Sequence, residues 1–167
     1  MEAQTAGIRL RAPANRVSRT AVWYWATRAG AAWLVVLAAQ LVWIATGPPH
    51  LALHAAALAT CAVLAAAHLL VMPRWRYHVH RWEATDGAVY TQSGWFTQER
   101  RLAPISRIQT VDSHRGPLEQ LFRLTNVTVT TASAAGPLVI EGLDLETAES
   151  LVARLTAAAE ASAGDAT

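Results

Sequence analysis

The chain has 167 residues, of which 53% are hydrophobic and only 16% charged, with a formal net charge of +2. That balance is unusual for a soluble chain of this length. All 14 basic residues are Arg, and the one cysteine, Cys61, excludes an intramolecular disulfide framework.

Met1 to Arg28 is a basic leader carrying Arg9, Arg11, Arg16, Arg19 and Arg28 against the single acid Glu2. Met1 to about Ala6 is expected to be disordered. Arg9 to Arg19, with Ile8, Leu10 and Val17 between them, can lie along anionic headgroups, and Pro13 argues against one long helix there. Val22, Trp23, Tyr24 and Trp25 close the leader as aromatic markers of the inner membrane surface, matched by Trp75 and Tyr77 on the far side.

Ala29 to Met72 contains no Asp, Glu, Lys or Arg and is broken only by Gly47, Pro48 and Pro49. It reads as a transmembrane helical hairpin over 29–46 and 51–72, since roughly 20 apolar residues cross a bilayer core. Arg in both flanks predicts cytoplasmic termini in the plasma membrane, with the turn at Gly47 to His50 outside. A cleaved signal peptide fits poorly, because the leader is too long and a second apolar segment follows directly.

His50, His54, Cys61 and His68 raise the question of a metal or haem. His54, Cys61 and His68 recur every seven residues and so share one helix face. Seven residues rise about 10.5 Å, too far for two of them to ligate one ion. No metal and no cofactor is predicted; the alternative is a seam in which the histidines hydrogen-bond to Gln40 or to backbone of the first helix.

From Pro73 the pattern becomes strand-like: Tyr77 to Ala84, the turn Asp86-Gly87 with positive φ, Ala88 to Ser93, Gly94, Phe96 to Leu102, then Ile108 to Ser113, Asn126 to Thr131 and Leu138 to Glu141. Asp144 to about Ala159 reads as a helix capped by Asp144, with Leu145, Ala148, Leu151, Val152 and Leu155 as its apolar stripe. The domain is thus α+β over 73–160, and 161–167 is expected to be a frayed tail.

The run from Arg101 to Val111, then Gly116 to Phe122, Val127 to Ala132 and Ile140 to Asp144 resembles the bacterial pleckstrin-homology-like (PH-like) domain, a module once called a domain of unknown function in membrane proteins. The resemblance covers about Trp75 to Leu155, and the two spans match the small members of that family. It implies a bent, partly open β-barrel of about seven strands with a C-terminal helix plugging one end. It also implies a larger membrane partner carrying several copies of the same domain.

The motif positions have structural readings. Pro104 ends a strand, Ser106 and Arg107 make turn-stabilising side-chain bonds, Ile105 and Ile108 bury, and Gln109 bridges strands. Gly116 and Pro117 break the chain before a short helical turn at Leu118, Leu121 and Phe122.

No catalytic residues are predicted: phosphate loops, nucleophile elbows and paired cysteines are missing. His78 and His80 would share one side of a strand, and His114 lies beside Asp112, but neither group has further ligands. From Pro73 onward there are 9 Arg and 11 acidic residues, a net of −2 that gives nucleic acid no footing. Two functions remain: an assembly module presenting a strand edge or groove to a protein or a second copy, and a reader of anionic phospholipid. For the second, Arg100, Arg101, Arg107, Arg115 and Arg123 are the candidate contacts.

Overall fold

A computed structural model of the protein describes residues 11–47, 49–133 and 136–164, with side chains to residue 161. The expectation of disorder over Met1 to Ala6, and Arg9 in the leader, lie outside the described residues.

In chain order the elements are β1 (Asn15–Arg16), α1 (Thr20–Ala45), α2 (Leu51–Val79), β2 (Arg81–Ala84), β3 (Ala88–Gly94), β4 (Gln98–Pro104), a 3-10 turn (Ile105–Arg107), β5 (Ile108–His114), α3 (Pro117–Leu121), β6 (Leu124–Thr131), β7 (Leu138–Asp144) and α4 (Leu145–Gly164). The fold is α+β and PH-like. Antiparallel strands form one sheet in the order β1-β2-β3-β4 and another in the order β5-β6-β7, and the two do not close into a barrel. α4 packs on β5, β6, β7 and the 3-10 turn, so it plugs the open end as the resemblance implied. Its start is capped as expected, with the Thr147 amide donating to Asp144 Oδ1 at 2.9 Å. The helix continues to Gly164, into the stretch expected to fray.

Both long helices overrun the lengths the apolar block alone indicated. α1 begins nine residues before Ala29, and α2 runs past Pro73 to Val79, where a strand from Tyr77 was expected. An interior proline costs a helix about 3 kcal/mol. Here Pro73 is buried, and the nearby Leu70 carbonyl accepts a bond of 2.6 Å from the Arg74 guanidinium. Packing offsets the break, so the helix continues.

These overruns build one core shared by helices and sheets. Ala21, Tyr24 and Trp25 recur at i, i+3 and i+4 on α1 and are buried with Val17 and Met72 among Trp82, Val89, Leu124, Val127, Leu143, Leu151 and Leu155. Tyr24 and Trp25 are therefore core residues and Tyr77 packs partly against the core, correcting their reading as membrane-surface markers. Trp23 and Trp75 remain exposed at 69% and 52%. From Arg11 on, the leader is likewise bound to the domain rather than laid along headgroups: Pro13 and Val17 are buried, Asn15 and Arg16 pair with Trp82 and Arg81, and Arg11 pairs with Glu83.

The β2–β3 hairpin forms at Asp86-Gly87, but neither residue takes a positive φ. Thr85 closes the turn instead, its amide donating to the Ala88 carbonyl at 3.0 Å.

Candidate functional site

The end of α2 enters the domain at a cleft of about 310 Å³ lined by Arg76, His80, Thr91, Ser93, Gly94, Glu99, Arg101, Pro137, Val139 and Glu141. Arg76 is fixed from three sides. Its guanidinium lies 4.5 Å above the Trp25 ring, donates to Glu141 Oε2 at 3.0 Å and approaches His80 Nε2 at 3.4 Å.

His80, only 3% exposed, has its Nδ1 2.9 Å from the Arg76 carbonyl. A carbonyl only accepts and a guanidinium only donates, so Nδ1 carries the proton and Nε2 offers its lone pair. The ring is neutral, and burial first, then the Arg76 charge, push its pKa below the ordinary imidazole value. His78 and His80 do not share the face of a strand. His78 sits in the last turn of α2 with Nδ1 2.7 Å from the Arg74 carbonyl, and His80 follows the helix, its ring and its own amide (2.7 Å) both meeting the Arg76 carbonyl. With both nitrogens of His80 engaged, it has no lone pair to take a proton from Thr91 or Ser93.

The five candidate arginines separate. Arg100 and Arg101 are on β4, and Arg101 donates to the carbonyls of Pro137 and Gly136 and pairs with Glu99 at 3.4 Å. Arg107 is exposed at the 3-10 turn. Arg115 and Arg123 flank α3: Arg115 Nε donates to the Leu124 carbonyl at 3.0 Å, and Arg123 is a non-glycine residue at φ 54°.

Pro104 ends β4, Ile105 is buried, Ile108 is half-buried, and Gly116 with Pro117 starts α3, as read from the sequence. Ser106 and Arg107 differ. Both face outward, and main-chain bonds hold their turn, Ile105 to the Gly87 carbonyl at 3.0 Å and Ala132 to the Arg107 carbonyl at 3.2 Å. Gln109 bridges no strands among the described residues: it is the exposed extra residue at a register shift between Ile108 and Thr110 of β5.

Inside the helical hairpin the seam forms. Trp33 Nε1 donates to His68 Nδ1 at 2.9 Å, Gln40 Nε2 donates to Cys61 Sγ at 3.2 Å, and the Trp43 and His54 rings lie 5.7 Å apart. The histidines meet Trp rather than Gln40. Among the described residues no three His, Cys, Asp or Glu side chains are grouped to hold a metal ion.

Known proteins give this architecture a family. The profile described as Bacterial PH domain matches residues 20–159, both long helices included. The chain belongs to the bacterial PH domain family. It is also similar to the UPF0699 transmembrane protein YdbS of Bacillus subtilis (strain 168), with 32% identity over 83 residues, 50% of this chain and 51% of that protein. The chain thus spans about half the length of the curated relative it matches, and no solved structure matches it.

As a bacterial PH domain protein the chain is integral to a membrane. α1 and α2 are long and apolar enough to cross one, and Leu34, Val35, Val42, Leu53, Val63 and Leu70 are exposed on them. One residue of the family motif acquires a role the sequence reading did not give it. Gly142 takes φ +75°, its amide donates to Asn126 Oδ1 at 2.9 Å and its carbonyl accepts from the Ser18 amide at 2.8 Å. A Cβ there would meet Ala21 Cβ at 3.0 Å, so this glycine lets α1 dock on β7. The apolar spacing of Val17, Ala21 and Trp25 was the available signal for that docking.

Proposed function

We propose that this bacterial PH domain protein is a non-catalytic, membrane-anchored assembly module, working at the cytoplasmic face of the bacterial membrane with a larger membrane protein that carries several PH-like domains. The observation that carries the reading is the pair of consecutive strands β4 and β5, each hydrogen-bonded on one side only, with Gln98, Glu99, Arg100, Gln109, Thr110, Asp112 and Ser113 exposed. An edge strand offers a row of main-chain donors and acceptors to an incoming strand. Arginine in both flanks of the hairpin supports the cytoplasmic orientation. The test is gentle extraction of the full-length protein from its native membrane followed by intact-complex mass spectrometry. A stoichiometric second membrane polypeptide is expected, and Thr110→Lys with Ser113→Lys should release it. A lone chain, or one that keeps its partner with both lysines in place, overturns the edge as the docking surface.

A second reading, an anionic phospholipid site, is favoured by Arg76 and Arg101 lining one cleft beside the end of a membrane helix. Glu99 and Glu141 in the same lining weigh against a purely anionic ligand. A defined lipid retained by a lone chain in the same experiment, lost in Arg101→Glu, would reverse the ranking. A role in envelope stress or in resistance to membrane-active peptides is the setting that goes with this second reading.

A further inference from the structure

We propose that the tip of the β3–β4 hairpin, Trp95-Phe96, is a wedge inserted into the same leaflet that α1 and α2 enter, with acyl chains covering Phe96. The tip is held at a definite depth. The Trp95 ring lies 5.3 Å from the ring of His68, and the Trp95 carbonyl accepts a hydrogen bond of 3.2 Å from Trp75 Nε1.

His68 is inside the uncharged block, six residues before Arg74, the first charge after it. At 1.5 Å per residue it lies about 9 Å further along the helix. Its hydrogen-bond partner Trp33 gives a second, independent gauge. Trp33 is five residues past Arg28, the last charge before the block, or about 7–8 Å along α1. The headgroup zone is about 5–8 Å deep on each side of the bilayer. Both helices therefore put the His68 ring, and Trp95 with it, where headgroups give way to acyl chains.

Phe96 stacks on Trp95 with ring centroids 3.9 Å apart, yet is 86% exposed. In water that exposure would be unfavourable for so large an apolar ring, but beside two lipid-facing helices it continues their surface. The hairpin itself is stiffly built. Gly94 takes φ +123°, and a Cβ there would come within 1.9 Å of the Thr97 carbonyl oxygen, so the chain reverses tightly and carries Phe96 at its tip.

The proposal is independent of the assembly and headgroup readings, because it concerns Phe96 and acyl chains and uses neither the strand edges nor the arginine cleft. It is tested on the full chain in phospholipid nanodiscs, with Cys61→Ser to remove the native thiol and a nitroxide at Phe96→Cys. A label at Asp86→Cys, in the opposite hairpin, is the aqueous reference. Collision with dissolved oxygen should exceed collision with a water-soluble nickel chelate at position 96, and the order should invert at position 86. A nickel-dominated profile at 96 would overturn the proposal. So would shielding from both reagents, which would mean that protein rather than lipid covers the tip. A third label at Phe96→Cys in a His68→Ala background should move toward the aqueous profile, since the contact that sets the depth is gone; an unchanged depth would refute that contact's role.

Discussion

At the residue scale, His80 shows how geometry and electrostatics agree. Its two nitrogens face a carbonyl and a guanidinium, an arrangement that only the neutral ring satisfies, with Arg76, Glu141 and Trp25 as its surroundings. Because its pKa is depressed on folding, the unfolded chain binds more protons between that lowered value and about 6.5. Stability should therefore be fully present above about pH 6.5 and decline as pH falls through His80's own value. Thermal unfolding of the detergent-solubilised chain across this window checks it, with His80→Gln expected to flatten the dependence. Glu119 contributes in a separate and more acidic window. Its carboxyl is depressed chiefly by the 2.7 Å hydrogen bond from the Tyr24 hydroxyl, so the stability it adds is lost only as pH falls below the ordinary carboxylate range.

At the scale of elements, the junction of α1 with β7 is the contact that joins membrane helix to sheet. Gly142→Ala would place a side chain in the left-handed region, at about 1–2 kcal/mol. It would also push a methyl against Ala21, for which overpacking typically costs about 1–3 kcal/mol. A loss of about 2–5 kcal/mol in reversible denaturation is expected, larger than for the same change at Gly87, where a Cβ meets open space. Element type was largely legible in the sequence. The strands at 88–93, 108–113 and 126–131, the terminal helix and the Gly116-Pro117 break all formed within a few residues of their expected limits. What was not legible was where the helices ended. An uncharged block marks the part of a helix that lipid covers, and says nothing of turns beyond it that protein covers. Pro73 misled for the same reason, since its local cost is offset by packing from distant residues. The arginines were individually visible, but their separation depends on the β4-to-β5 corner and on α3, which no spacing along the chain reveals.

At the scale of the whole molecule, the hairpin and the PH-like fold are not an anchor and a cargo. Val17, Tyr24 and Trp25 supply buried side chains to the domain core from before the first lipid-facing residue, and each such side chain is worth about 2 kcal/mol. Domains are stable by only about 5–15 kcal/mol, so losing all three is comparable with the total. A fragment beginning at Trp75 is therefore expected to lack near-ultraviolet dichroism and to bind a hydrophobic dye. A chain that keeps residues 13–28 and 72–160, with a polar linker in place of 29–71, should fold with native near-ultraviolet signals.

The shared core also sets an order of events during synthesis. The first turns of α1 leave the ribosome more than a hundred residues ahead of Leu151 and Leu155, which later pack in the same core. At about 5–20 residues per second that is an interval of roughly 10 s. For that time Trp25 and Tyr24 have no sheet to pack on, and the nearest apolar refuge is the membrane surface beside them. The nascent chain is thus expected to hold these aromatic side chains in the lipid interface until β7 and α4 arrive, and site-specific photo-crosslinking of Trp25 to lipid in stalled chains should be lost once the chain extends past Leu155.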